Sequence, residues 1–159
     1  MENIHPLNDR IGFVVNVVGR LMKRALYLKL SDAGVTPTQW TVLMCLWDKD
    51  GLSFTELAKR LSFDHPTITG VVDRMEREKL VRRKRDHLDR RVVKVFLTQK
   101  GKDLEALTVD AGRQVDEVAT NGLGKEQVKQ LKKWIQYCEL RLKEEIGTIG
   151  QNHTESATK

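Results

Sequence analysis

Twelve cations (Lys59, Arg60, Arg74, Arg77, Lys79, Arg82, Arg83, Lys84, Arg85, Arg90, Arg91 and Lys94) fall within residues 59–94, against six acids. The other 123 residues balance at sixteen basic and sixteen acidic, so this one segment carries the formal net charge of +6. A basic excess confined to one regular stretch suits a polyanionic partner, most often nucleic acid. A merely solvated charge run would be scattered. The remaining reactive side chains are dispersed. His5, His65, His87 and His153 share no metal-ligand spacing, and the chain has no glycine-rich phosphate loop and no nucleophile motif. Recognition rather than catalysis is expected, with no cofactor and no metal. Cys45 and Cys138 lie too far apart for a local motif and are too few for a disulfide framework. Both sit among apolar neighbours, so buried thiols acting as small hydrophobes are expected, with a redox sensor as the alternative.

The elements that must position these cations follow from periodicity. Apolar residues at 7, 11, 14, 15, 18, 21, 22, 25 and 28 form one wide stripe on a helix from Leu7 to about Asp32. Gly34 and Pro37 close it. A short helix over Thr38–Trp47 carries Trp40, Leu43, Met44 and Trp47 on one face, and Asp48–Leu52 reads as a turn. Ser53-Phe54-Thr55-Glu56 is a capping box opening a helix to Leu61. Asp64 caps another helix, with Pro66 in its first turn, running to about Lys79. The period then changes: Leu80–Arg85 and Val92–Thr98 are alternating or β-branched, around a charged tip at residues 86–91. Two helices follow, about Gln99–Asn121 and Lys125–Gly147. The second has apolar residues at 128, 131, 135, 138, 142 and 146, a coiled-coil-like spacing. From Thr148 the sequence is polar and aperiodic, as in a frayed tail.

Two short helices joined by a tight turn and followed by a basic hairpin predict a winged helix-turn-helix. The fold class is mainly α with a small β-hairpin wing and long N- and C-terminal dimerisation helices. The expected organisation is one compact domain: a dimerisation helix over 1–34, the DNA-binding lobe over 35–98, further dimerisation helices over 99–147 and a tail over 148–159. The long terminal helices exceed what the small module needs. Pairing with a second copy, as a homodimer, is the natural way to bury their stripes.

Three stretches carry a family resemblance. Val35-Thr36-Pro37-Thr38-Gln39-Trp40-Thr41-Val42-Leu43 resembles the second helix of the multiple antibiotic resistance regulator (MarR) family of bacterial transcription factors. Residues 54–61 and 67–76 resemble its helix-turn-helix. Asp89-Arg90-Arg91 followed by Val95–Gly101 resembles its wing and exit. The resemblance implies a homodimer binding an inverted-repeat operator in double-stranded DNA, usually as a repressor relieved by a small molecule or by oxidation.

On a helical wheel Ile68, Val71, Val72 and Met75 share one face and should anchor the recognition helix. Pro66, Gly70, Asp73 and Arg77 lie opposite, flanked by Thr67, Thr69 and Arg74. Gly70 permits close backbone approach, and the threonines suit phosphates, base edges or a thymine methyl. Arg74 suits guanine, the alternative being a salt bridge to Glu78 one turn on. Asp73 is expected to orient a neighbouring Arg. His65 either touches a phosphate or is simply solvated. The resemblance places Arg91 at the wing tip, reaching into a minor groove and held by Asp89, beside Arg90. A narrow A·T-rich groove concentrates negative potential that suits such an Arg. Arg82, Arg83, Lys84, Arg85 and Lys94 are expected beside the DNA backbone as phosphate neutralisers.

The effector is less legible. The family's redox branch senses with a cysteine near the start of the first helix, and residues 7–25 contain none. The alternative is a small aromatic or phenolic effector near Phe13, Val17, Met44 and Trp47, residues that serve equally well as plain core. Activation, ligand-independent regulation, or an RNA- or protein-binding winged helix remain the rival functions. With no apolar run near the roughly 18 residues of a membrane span and no signal-peptide pattern, a cytoplasmic protein without membrane association is expected.

Overall fold

The computed structural model describes residues 10–156, with side chains through Gly147. The expected helix start at Leu7, His5 and the His153 side chain lie outside the described residues. Helix α1 (Ile11–Leu30) runs into one 3₁₀ turn, Ser31–Ala33, and stops at Gly34 in the left-handed conformation. Helix α2 (Pro37–Asp48) begins a residue before the periodicity suggests, because Thr36 and Gln39 make a reciprocal capping box. The Gln39 amide N–H donates to the Thr36 hydroxyl at 3.3 Å, and the Thr36 N–H donates to Gln39 Oε1 at 2.9 Å.

Leu52, read from sequence as the end of a turn, instead forms a short strand, β1 (Leu52–Ser53), with the capping Ser53. Its ladder partner is remote in sequence: Leu52 pairs with Val95. Ser53 then caps α3 (Phe54–Leu61), with Glu56 closing the box at 2.8 Å. Asp64 caps α4 (His65–Arg77) through the Thr67 N–H at 2.7 Å. Strands β2 (Val81–Arg85) and β3 (Val93–Leu97) form the hairpin, and the antiparallel sheet has the order β1-β3-β2.

The anchoring face of α4 is buried as the wheel demands, with Ile68, Val71, Val72 and Met75 each at most 1% exposed. They join Val42, Leu43, Leu46, Leu52, Leu57, Leu80, Val81 and Val95 in one core. Each such side chain contributes about 1.5–3 kcal/mol by leaving water, which holds α4 firmly while its other face stays open. Helix α5 (Gln99–Ala119) enters against this core through Gly101. A Cβ there would overlap the Leu80 carbonyl oxygen, so only glycine fits. The Trp47 indole N–H donates to the Gly101 carbonyl at 3.0 Å, tying α2 to the same point.

The chain divides into two compact units, one ending at Ala119 and one starting at Thr120. The second unit holds α6 (Lys125–Ser156), which continues nine residues past Gly147, through the segment expected to fray. Its apolar residues, among them Leu131, Trp134, Ile135, Leu142 and Ile146, are exposed. Cys138 shares that helix and is exposed, correcting the expectation of a buried thiol. Cys45 is half-buried against the core, and burial raises its pKa above the ordinary thiol value. Among the described residues no helix is long and apolar enough to cross a membrane.

Candidate nucleic-acid interface

The outer face of α4 is small at its start and cationic further on. His65, Pro66, Thr67, Thr69, Arg74 and Arg77 are exposed, and Gly70 is half-exposed with nothing within 4 Å of where a Cβ would stand. The Thr69 hydroxyl donates back to the His65 carbonyl at 2.9 Å, which holds its side chain against the first turn of α4. Arg74 does not take the salt bridge to Glu78 that its spacing allows. Glu78 instead accepts from Gln39 Nε2 at 2.7 Å, and Arg74 has no ion pair among the described residues. The Gln39 side chain thus connects the start of α2 to the end of α4, a link across 39 positions that no local pattern announces.

Asp73 orients an arginine, and that arginine is Arg83. Strand alternation explains the choice. Arg83 is in register with Val95 and shares its inward face, whereas Arg82 pairs with Phe96 on the other. Arg83 is ion-paired to Asp73, and its Nε lies 3.2 Å from Glu76 Oε2. Arg82, Lys84 and Arg85 are exposed, Lys84 sitting 6.0 Å over the Phe96 ring. Lys94 is ion-paired to Asp86. Two of the five strand cations expected beside phosphates are therefore engaged inside the wing or at its root.

Asp86, which sequence marks only as part of a charged tip, organises that tip. Its side chain is 8% exposed. One carboxylate oxygen accepts the N–H groups of Leu88 at 2.8 Å and Asp89 at 3.1 Å, an Asx-turn arrangement, and the other meets Lys94. The Lys94 pair, followed by these two backbone bonds, holds its pKa far below the usual carboxylate range. An Asp with open amides two and three residues on was the available signal. Beyond this turn, Arg91 Nε and Nη2 each lie 3.1 Å from an oxygen of Asp89, and the Arg91 N–H donates to the same carboxylate at 3.0 Å. The Arg91 side chain is nonetheless 91% exposed. Arg90 beside it is exposed as well.

The four residues expected around an effector lie on two packed helices, α1 and α2. Phe13 and Met44 are exposed, Val17 is half-buried, and Trp47 is turned into the core and bonded to Gly101. Among the described residues no group of His, Cys, Asp and Glu could hold a metal ion.

A helix-turn-helix with an open second helix, followed by a hairpin whose tip presents a held arginine, defines a winged-helix DNA-binding fold. The MarR family model matches residues 35–93. The chain is 37% identical over 104 residues to the HTH-type transcriptional regulator TtmR of Methylorubrum extorquens, covering 65% of this chain but 53% of that protein. It is 30% identical to the organic hydroperoxide resistance transcriptional regulator of Bacillus subtilis over 79% of this chain and 84% of that one. Among solved structures, a MarR transcriptional regulator from Methanosarcina mazei superposes with a TM-score of 0.76 at 28% identity, covering 84% and 96% of the two chains. The chain belongs to the MarR family and is a transcriptional regulator, not an enzyme.

Proposed function

We propose that this regulator binds an inverted-repeat operator in double-stranded DNA as a homodimer and acts as a repressor. Helix α4 enters the major groove through Thr67, Thr69, Gly70, Arg74 and Arg77, with Arg74 on a guanine. His65 and Pro66 stand at the phosphates by the helix start. Arg91 enters the flanking minor groove, while Arg82, Lys84, Arg85 and Arg90 neutralise phosphates. The observation that carries this reading is Arg91 itself. Its guanidinium is aimed by a two-point contact with Asp89 while its side chain stands almost wholly in water. An exposed ion pair adds at most about 1 kcal/mol to folding, so its value lies in preorienting a cation for a partner. Dimerisation is supported by the apolar residues that α1, α5 and α6 leave exposed, including Val14, Val18, Leu21, Leu107, Val118, Leu131 and Ile135.

A small aromatic effector is the reading for the inducer, received near Phe13, Val17 and Met44, with Trp47 as a backing residue. Its support is the exposure of Phe13 and Met44 together with the lack of any cysteine in residues 7–25. Repression within the cytoplasm follows from the same reading.

The test is fluorescence anisotropy with duplex from the chain's own upstream region and a scrambled control, over a range of salt. Nanomolar binding to the native duplex alone, with a steep salt dependence, is expected. Equal weak binding to both would refute a specific operator there. Release of the complex by phenols or aromatic acids tests the effector.

A further inference from the structure

Arg83 differs from the cations around it in where its charge goes. It is on the inward face of the wing, in register with Val95, and its side chain is 30% exposed. Its guanidinium meets two carboxylates of α4, Asp73 and Glu76, which lie three residues apart and so share one helix face. Its backbone N–H donates to Glu76 Oε1 at 3.0 Å. The guanidinium carbon also stands 5.5 Å from the ring centroid of Phe54, the first residue of α3. One residue thus joins the root of the wing to the recognition helix and to the helix before it.

We infer that Arg83 is a positioning residue for operator recognition: a strut that fixes the wing against α4 and makes no phosphate contact itself. The inference rests on the DNA-binding reading above and deepens it. One consequence follows from the chemistry: the strut sets the distance between the groove read by α4 and the groove entered by Arg91, so selectivity for their spacing depends on it. A lysine cannot replace it. The planar guanidinium serves two carboxylates and a ring face together, which a point-charge ammonium on a flexible stem does not.

Salt dependence separates a strut from a phosphate contact. A cation lying on a phosphate adds about 0.9 to the slope of log affinity against log salt, and a strut adds nothing. The probe is the tightest duplex that the wild-type protein selects from a randomised pool. Arg83→Gln, Arg83→Lys and Arg82→Gln are titrated against it over a range of KCl, with thermal unfolding recorded for each. Arg82→Gln should flatten the slope by about 0.9. Both Arg83 variants should lose about tenfold or more in affinity with the slope unchanged. Both should also tolerate a one-base-pair insertion between the inner and flanking parts of the half-site better than wild type does. A flattened slope for Arg83→Gln with near-normal binding by Arg83→Lys would overturn the strut and make Arg83 a phosphate contact. Normal affinity in both variants would overturn it too. Should Arg83→Gln fail to fold, Arg83→Lys alone decides, since it keeps the charge and loses only the fork. If the wild-type protein selects no duplex, the DNA-binding reading itself falls, a result distinct from any of these.

Discussion

Two single residues separate DNA contact from folding. Arg91 and Asp89 touch each other and little else, so their removal should leave the protein folded. Arg91→Ala is expected to weaken operator binding by on the order of 1–3 kcal/mol, the range for a placed arginine, with the unfolding midpoint unchanged. Asp89→Asn should cost less affinity, because the cation stays and only its orientation is lost. It should lower the ratio of operator to scrambled-duplex binding, since a carboxylate that repelled phosphates has gone. An Arg91→Ala protein that folds and binds normally would remove the wing tip from the interface. Gly70 gives the complementary case. A methyl there meets no protein atom, and alanine is a better helix former, so Gly70→Ala should stabilise the fold by about 0.5–1 kcal/mol. The same methyl would stand between the helix backbone and a base edge, so DNA affinity should fall as stability rises. Denaturant titration and anisotropy on one preparation check both signs.

At the scale of elements, Asp86 decides the shape of the wing tip. Its carboxylate pKa is depressed in the folded chain, principally by Lys94. A depressed acid contributes stability that is present above its unfolded value, about pH 4, and is lost as pH falls below it toward the folded value. Asp86→Asn keeps an oxygen for the Leu88 and Asp89 amides but drops the ion pair. It should therefore be less stable than wild type at pH 7, with the difference shrinking as pH falls below about 4. Urea unfolding at several pH values measures this, and a pH-independent difference would sink the assignment. What could be read from sequence divides along the same line. The Ser53 and Asp64 caps were legible because their partners lie three residues away. The Thr36–Gln39 box was equally local, but the apolar periodicity put the helix start at Thr38, one residue past the observed Pro37. Strand β1 was not legible: two residues become a strand only because Val95 and Lys94 come to pair with them. The wing cations were visible as a group. Their division was not, since the alternation that turns Arg83 inward needs the hairpin register, and Asp73 and Glu76 lie on another element. Helix α6 outran its apolar pattern, continuing through residues 148–156, which hold no proline.

The whole molecule poses a problem that the single chain leaves open. Helix α1 exposes Ile11, Val14, Val15, Val18, Leu21 and Leu28, and α6 exposes Leu131, Trp134, Ile135, Leu142 and Ile146. Exposed apolar residues are ordinary singly, but contiguous stripes of this kind mark an interface. On α6 the residues at 131, 135, 138, 142 and 146 recur at the three-four spacing of a packed seam. A second copy packed on both stripes, as proposed above, would at the same time supply a second α4 and a second wing, and two-fold symmetry in the protein would then ask for two-fold symmetry in the operator. Sedimentation equilibrium should give twice the chain mass of 18.3 kDa. Leu131→Glu combined with Ile135→Glu places two carboxylates one turn apart in the seam and should yield a folded monomer, since the core around α4 uses neither residue. That monomer keeps every DNA-facing side chain. Its operator affinity should nevertheless fall by about 100- to 10,000-fold, the gain that tethering gives two half-site contacts over one, while binding to scrambled duplex changes far less. A monomer that retained full operator affinity would show that one lobe reads the whole site, and the inverted-repeat reading would have to go.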